Sequence, residues 1–345
     1  MYLVSLCFVI YINMYVHIIY ISLFRSFLLQ LKKNKINCSL PLSLSLFSTS
    51  VMYSSHSIFK NNLNIKFHFY CIIRTVKYIQ NLTFITECKK IVEDSIPPLY
   101  LHLIGGENAQ LGEFPHMAAL GYLKSDGYDF NCGGTLISEY YILTAAHCVD
   151  NIEKMSPSIA RLGVVDVGTS EFNPETDIRI SEYTIHPSRN ISKKYHDLAL
   201  LKLEQPAQYS ITLVPACLYT GETLPSVPLT VSGWGKVSVT SKILQKGNVT
   251  VVASSECEKS YENWRKLPSG IKEGQFCAGD PLGRTDACQG DSGGPIQAFT
   301  SKDGHYRILG VISFGRGCAS RDPGVYTRLY PYLDWIESVV WPNGL

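Results

Sequence analysis

Residues 286–295 read DACQGDSGGP, and Ser292 stands in it between an aspartate and two glycines. Glycine has no Cβ, so the backbone beside the serine can turn tightly and a substrate can come close. The N–H groups of Gly290 and Ser292 can then converge on one point, as an oxyanion hole requires. A serine hydroxyl is a weak nucleophile without an adjacent base. Two strings upstream supply one: LTAAHC, with His147 inside it, and YHDLALLKL, which carries Asp197. His147 is the expected general base, Asp197 the buried carboxylate that orients it, and His196 a bystander. Each string alone would fit an incidental turn or strand end. The order His, Asp, Ser across all three fits nucleophilic catalysis.

The bulk composition sets the surroundings. The chain has 345 residues, 46% hydrophobic and 17% charged, enough to bury a sizeable core. A net charge of +2 gives no reason to expect a nucleic-acid partner. Of 11 cysteines, none falls in a CxxC pair or a Cys/His cluster of zinc spacing, so disulfides in an oxidising compartment are expected. Sequons at Asn37, Asn81, Asn190 and Asn248 are compatible with secretion.

Two unlike pieces make up the chain. Residues 1–86 contain no Gly, Ala, Asp, Glu or Trp. That composition follows AT-rich codons and fits a mis-assigned 5′ exon; an intact message covering Met1 to Thr86 would exclude this. Read as protein, residues 1–24 are an uncharged apolar run long enough to span a bilayer, an uncleaved signal or an anchor. Its basic residues, Arg25, Lys32, Lys33 and Lys35, follow it, which would hold the remainder in the cytosol. The cysteines and the three strings point the other way, and a secreted protein is expected. Residues 25–102 read as an unassigned propeptide.

From Leu103 the composition is ordinary. Short β-like runs recur between Gly and Pro turns: MAALGYL, GGTLISEYYILTAA, IARLGVVDV, DLALLKL, LTVSGWG, NVTVVA, ILGVISFG and GVYTRL. One clear helical period closes the chain, through Tyr332, Leu333, Trp335, Ile336, Val339 and Val340. An all-β domain over 103–345 is expected, large for one barrel and suited to two.

These strings, with LIGGENAQLGEFPHMAALGY, CGGTLISEYYILTAAHC, PACL, SGWG, EGQFCAG and GVYTRLYPYLDWI, resemble the chymotrypsin-like (trypsin-fold) serine proteases. They are similar in particular to the catalytic domains of arthropod clip-domain proteases of the Snake type. The resemblance implies two antiparallel six-stranded β-barrels with the triad between them, and no cofactor. It places Asp286 at the floor of the primary specificity pocket, where a carboxylate selects Arg or Lys. Gly315 and Gly324 match the small residues that keep the pocket open. Ser313, Phe314 and Gly315 match the segment that pairs with substrate main chain.

The same resemblance implies a zymogen. Cleavage before Leu103, which stands where the family usually has Ile, would free an ammonium to pair with Asp291 and fix the oxyanion loop. The residue before that bond is His102, not Arg or Lys, so the activating protease should be of non-tryptic specificity and the chain should not activate itself. Disulfides implied by position are Cys132–Cys148, Cys257–Cys277, Cys288–Cys318 and Cys88–Cys217, the last tethering the propeptide. Cys7, Cys38 and Cys71 remain, too few for the six-cysteine clip module. No metal is expected: where the family's calcium loop offers a carboxylate after an LG pair, Leu162-Gly163 is followed by Val164. Expected partners are protein substrates such as downstream zymogens, the upstream protease, and inhibitors such as serpins, with the enzyme itself a monomer. Other readings are a digestive or venom trypsin, or a non-catalytic homologue acting as an adaptor.

Overall fold

A computed structural model of the chain describes residues 83–94, 107–150, 155–235, 242–280, 290–300, 304–316 and 322–342. His102, Leu103, Asp286, Cys288 and Cys318 fall outside these residues, as does the apolar run 1–24. Among the described residues no helix is long and apolar enough to cross a membrane.

The first barrel is a closed set of six antiparallel strands. In chain order these are β2 (Met117–Lys124), β3 (Gly127–Leu136), β4 (Tyr141–Thr144), β5 (Ile159–Leu162), β6 (Asp177–Ile185) and β7 (Ala199–Leu203). They close in the order β2-β3-β4-β7-β6-β5. The run DLALLKL yields β7, whose residues are buried except Lys202. Leu120, Leu136, Ile142, Leu143, Leu200 and Leu201 fill the interior. Truncating one such leucine to alanine costs about 2–5 kcal/mol.

The second barrel is built from β9 (Leu229–Gly233), β10 (Gln245–Val252), β11 (Gln275–Gly279), β12 (Pro295–Thr300), β13 (His305–Phe314) and β14 (Gly324–Arg328). Strand β9 pairs with both β10 and β12, which closes the ring β9-β10-β11-β14-β13-β12. Two short strands lie outside it: β1 (Glu107–Asn108) on β10 and β8 (Cys217–Leu218) parallel to β13. Its core holds Leu229, Val249, Phe276, Ile296, Leu309 and Tyr326. Two six-stranded antiparallel barrels are thus present, as the resemblance implied.

Three helices complete the described structure. The C-terminal period appears as α3 (Leu333–Val340), which buries Leu333, Ile336 and Val340. A short α2 (Ser254–Ser260) follows β10. The third, α1 (Thr83–Asp94), lies in the stretch read as unassigned propeptide. Phe84 of α1 joins the same core as Ile336 and Val340, and Ile85 packs against it. The Thr83 N–H donates to Glu337 Oε1 at 2.5 Å, and Cys88 is disulfide-bonded to Cys217.

Between β5 and β6 the chain wraps a guanidinium. Arg161 meets Asp177 through Nε–Oδ1 at 2.6 Å and Nη2–Oδ2 at 2.7 Å. It also donates to the carbonyls of Val167, Thr169 and Glu171. Both partners are buried, and a lone buried charge here would be strongly destabilising.

Candidate active site

Strand register places the first two residues of interest. Thr144 at the end of β4 is opposite Ala199 at the start of β7. His147 lies three residues past the first and Asp197 two residues before the second, so both emerge at one barrel rim. A 3-10 turn, Ala146–Cys148, carries His147. The disulfide Cys132–Cys148 fixes that turn to β3. At His196 the backbone takes φ 51°, a left-handed value uncommon outside glycine, one residue before Asp197. The His196 ring stacks on His186, and its Nδ1 lies 3.0 Å from the Tyr332 hydroxyl, away from the His147–Asp197 pair.

Asp197 is held from several sides. His147 Nδ1 lies 2.8 Å from Oδ2, and the His147 main-chain N–H donates to Oδ1 at 3.0 Å. The Ser313 hydroxyl donates to Oδ2. Arg189 Nη1 stands 3.5 Å from Oδ1, and its Nε is 3.7 Å from Asp150. Thr327 holds the Asp197 carbonyl at 3.1 Å. Burial alone would push this carboxyl up, but His147, Arg189 and Ser313 together hold it well below the usual carboxylate range. It is therefore an anion at neutral pH. The Asp197 side chain is 1% exposed and that of His147 23%, so one end of the pair is sealed and the other faces the cleft.

Ser292 comes from the second barrel, in the turn before β12. Its carbonyl accepts the N–H of Gly133 on β3 at 2.8 Å and lies 3.5 Å from Cys148 Sγ, the residue next to His147. The seam is tight because Gly293 has no side chain: a Cβ there would meet the Thr144 hydroxyl, the Gly133 carbonyl and Cys148 Sγ. Gly290 has φ 102° and Gly293 φ 82°, conformations that favour glycine. Between them the Asp291 carboxylate turns away from Ser292, where Oδ1 accepts the Gly235 N–H at 2.7 Å. Gly233 and Gly235 both press against that carboxylate.

The residues expected to shape a specificity pocket, where they fall within the described structure, sit near one another on the second barrel. Phe314 ends β13, half-buried, with its ring centroid 5.2 Å from Trp264 and 5.8 Å from Tyr261. Gly315 follows it, exposed. Gly324 opens β14, pairs with Ala278, and lies beside the Tyr326 ring. Sequence reasoning gave Ser313 only a main-chain role, whereas its side chain is 2% exposed and bonded to Asp197. It gave Arg189 no role at all. Nothing in the local sequence marks either: the Ser313 contact joins residues 116 apart in the chain, and the Arg189 contact depends on how the connection between β6 and β7 folds back on Asp197.

Three of the four expected disulfides lie within the described residues and are formed: Cys88–Cys217, Cys132–Cys148 and Cys257–Cys277. The donor set does not fit a metal. Cys132, His147 and Cys148 cluster, but both sulfurs are spent in a disulfide. At the position of a calcium loop, Val164 offers no carboxylate and the carbonyls of Val167, Thr169 and Glu171 already accept from Arg161.

Paired antiparallel barrels, with a buried aspartate–histidine couple on one and a glycine-flanked serine loop on the other, define a serine protease architecture. The chain belongs to the trypsin family, which it matches over residues 103–336. It is 42% identical over 274 residues to "Serine protease Hayan" of Drosophila melanogaster, covering 75% of this chain and 42% of that protein. To "Serine protease snk" of the same fly it is 41% identical over 249 residues, covering 69% and 57%. To "Clotting factor G beta subunit" of Tachypleus tridentatus it is 34% identical over 265 residues, covering 72% and 82%. The chain thus spans about half the length of the two fly relatives.

Proposed function

We propose that this chain is the zymogen of a secreted, trypsin-like endopeptidase, with residues 103–345 as its protease domain. Ser292 is the nucleophile: its hydroxyl attacks the scissile carbonyl while His147 Nε2 takes the proton. Asp197 holds the imidazole in the required tautomer and stabilises its cation. The oxyanion is met by the N–H groups of Gly290 and Ser292. His147 then protonates the departing amine, and water repeats the sequence on the acyl-enzyme. The observation that carries the reading is the sealed Asp197 bonded to a cleft-facing His147, with the Ser292 carbonyl docked one residue away.

Asp286 is assigned to the pocket floor and selects Arg, with Lys second. Activation is assigned to the His102–Leu103 bond, after which the Leu103 ammonium joins Asp291 beside Gly235. The α1 helix then stays on the protease through Cys88–Cys217. A place in an extracellular proteolytic cascade is supported by the non-basic His102 and by likeness to a clotting-factor subunit.

The test uses the full chain with His102→Arg, so that trypsin can cut it. The cut form should hydrolyse Arg p-nitroanilides, label with a fluorophosphonate and show Leu103 as a new N-terminus by Edman sequencing, while S292A in the same background should be cut at the same bond but neither hydrolyse nor label. Cleavage of Phe or Leu substrates with Arg substrates untouched would overturn the specificity.

A further inference from the structure

A groove of about 1140 Å³ opens beside His147 and runs along residues 189–194 to Arg265 and Lys266. Its lining carries five cationic side chains and, besides His147, one acidic group, Asp150. Arg189 is already committed: it faces Asp150 and Asp197 and donates to the carbonyls of Lys193 and Tyr195, which shapes the loop. Among the described residues no ion pair holds Lys193, Lys194, Arg265 or Lys266.

Lys194 is the informative member. Its N–H donates to the Lys266 carbonyl at 3.1 Å, and its own carbonyl accepts Gln275 Nε2 at 2.7 Å. The backbone is therefore fixed on both sides. Its Nζ lies 5.6 Å from the centroid of the Phe314 ring, and Lys194 lines the groove together with His147. A half-buried ammonium over an aromatic face gains modestly from the ring, and Asp197 and Asp150 act on it only from beyond ion-pair distance. Burial first, then the like charges of Arg189 and Lys266, draw its pKa down against the partial opposition of Asp197 and Asp150, and a further anion in the groove would add to that opposition.

We propose that this groove recognises an acidic side chain in the substrate stretch just N-terminal to the scissile residue. The targets are then Arg or Lys bonds preceded by Asp or Glu. The proposal rests on the protease reading above, because Phe314 belongs to the segment assigned to pair with substrate main chain on the acyl side. In this reading the side chain immediately before the scissile residue meets Lys194, which lines the groove with His147, and residues one or two further back meet Lys193, Arg265 and Lys266. A carboxylate entering there meets unpaired cations in a partly desolvated site, and a lysine meets repulsion. The chain's own activation segment, SIPPLYLH from Ser95 to His102, has no acid in the eight residues before the bond. It lacks this signal as well as a basic scissile residue, which separates activator from target.

The test is a set of fluorogenic peptides with Arg at the cleaved bond and Asp, Glu, Ala or Lys at each of the three preceding positions. They are assayed on the cut full-length chain. Asp or Glu should exceed Lys by about tenfold or more in kcat/KM at 0.1 M salt, with the margin shrinking at 0.5 M. Charge reversal by K194E should invert the preference at the position next to the scissile Arg. The exposed pair R265E/K266E should reduce it further back, which guards against a folding defect in the first variant. Arg peptides cut with no acidic preference, or with Lys preferred, would overturn the proposal and leave the protease reading standing. No cleavage of any Arg peptide would instead defeat the protease reading. Flat peptide selectivity with heparin retention lost in R265E/K266E would also overturn it, marking the groove as a polysaccharide surface.

Discussion

The cleft wall that carries His147 is held by side-chain hydrogen bonds, whereas the wall that carries Ser292 is held by main chain and glycine. On the first, Asp197 is gripped by His147, Ser313 and Arg189, with Thr327 on its carbonyl. On the second, Gly290 and Gly293 set the turn, and the Gly133 N–H and the Gly235 N–H hold the Ser292 carbonyl and the Asp291 carboxylate. A wall wired through charged side chains is committed to one geometry. In the proposed activation, the wall built on glycine is the one that a new charge beside Asp291 resets.

Four changes test that contrast, and the largest effect is expected on the wired wall. D197N keeps the shape but offers an amide where His147 needs an anion, and kcat should fall by about 10⁴ with little change in KM. On the glycine wall, G235A drives a Cβ into the Asp291 carboxylate. The chain should still be cut at residue 102 yet lose about 10²-fold in kcat/KM, because the oxyanion loop is displaced. Normal activity of cut G235A would show that Asp291 does not need that niche. S313A removes one charge-assisted bond of several and should cost about 1.5–3 kcal/mol of transition-state stabilisation, roughly ten- to a hundredfold in kcat/KM.

The smallest effect lies away from both walls. His116 is buried, with its Nε2 2.6 Å from Gln297 Oε1, and burial lowers its pKa to about 4 against the partial opposition of that bond. The unfolded chain takes up this proton near pH 6.5 and the folded chain only near 4, so the unfolded state binds more protons between them. Stability should therefore be full above pH 6.5 and fall on acidification toward 4, by on the order of 3 kcal/mol. H116Q, which can still bond Gln297, should flatten this slope in urea melts at pH 7 and 4.5. An unchanged slope would remove His116 as its source.

Legibility followed the same division. The strands were readable because alternation and turn residues are local, and β7 and α3 came out where DLALLKL and the final helical period placed them. The bond between His147 and Asp197 and the approach of the Ser292 loop to Cys148 were foreshadowed by three short, specific strings. Ser313 and Arg189 were not, because their contacts to Asp197 depend on how two barrels and a loop meet. The α1 helix carried a weak signal, Phe84, Cys88 and Ile91 at helical spacing, inside a stretch whose composition obscured it. Its disulfide to Cys217, the hydrogen bond from Thr83 to Glu337 and the burial of Phe84 tie it to the protease.

The central claim is that Ser292 is activated by His147 across the seam between the barrels. Its most direct measurement is peptide mapping after a fluorophosphonate reacts with the chain cut before Leu103. The account predicts one phosphonyl group, on Ser292 within DACQGDSGGP, absent when His147 is replaced by alanine. A label on another residue, or equal labelling without His147, would contradict it.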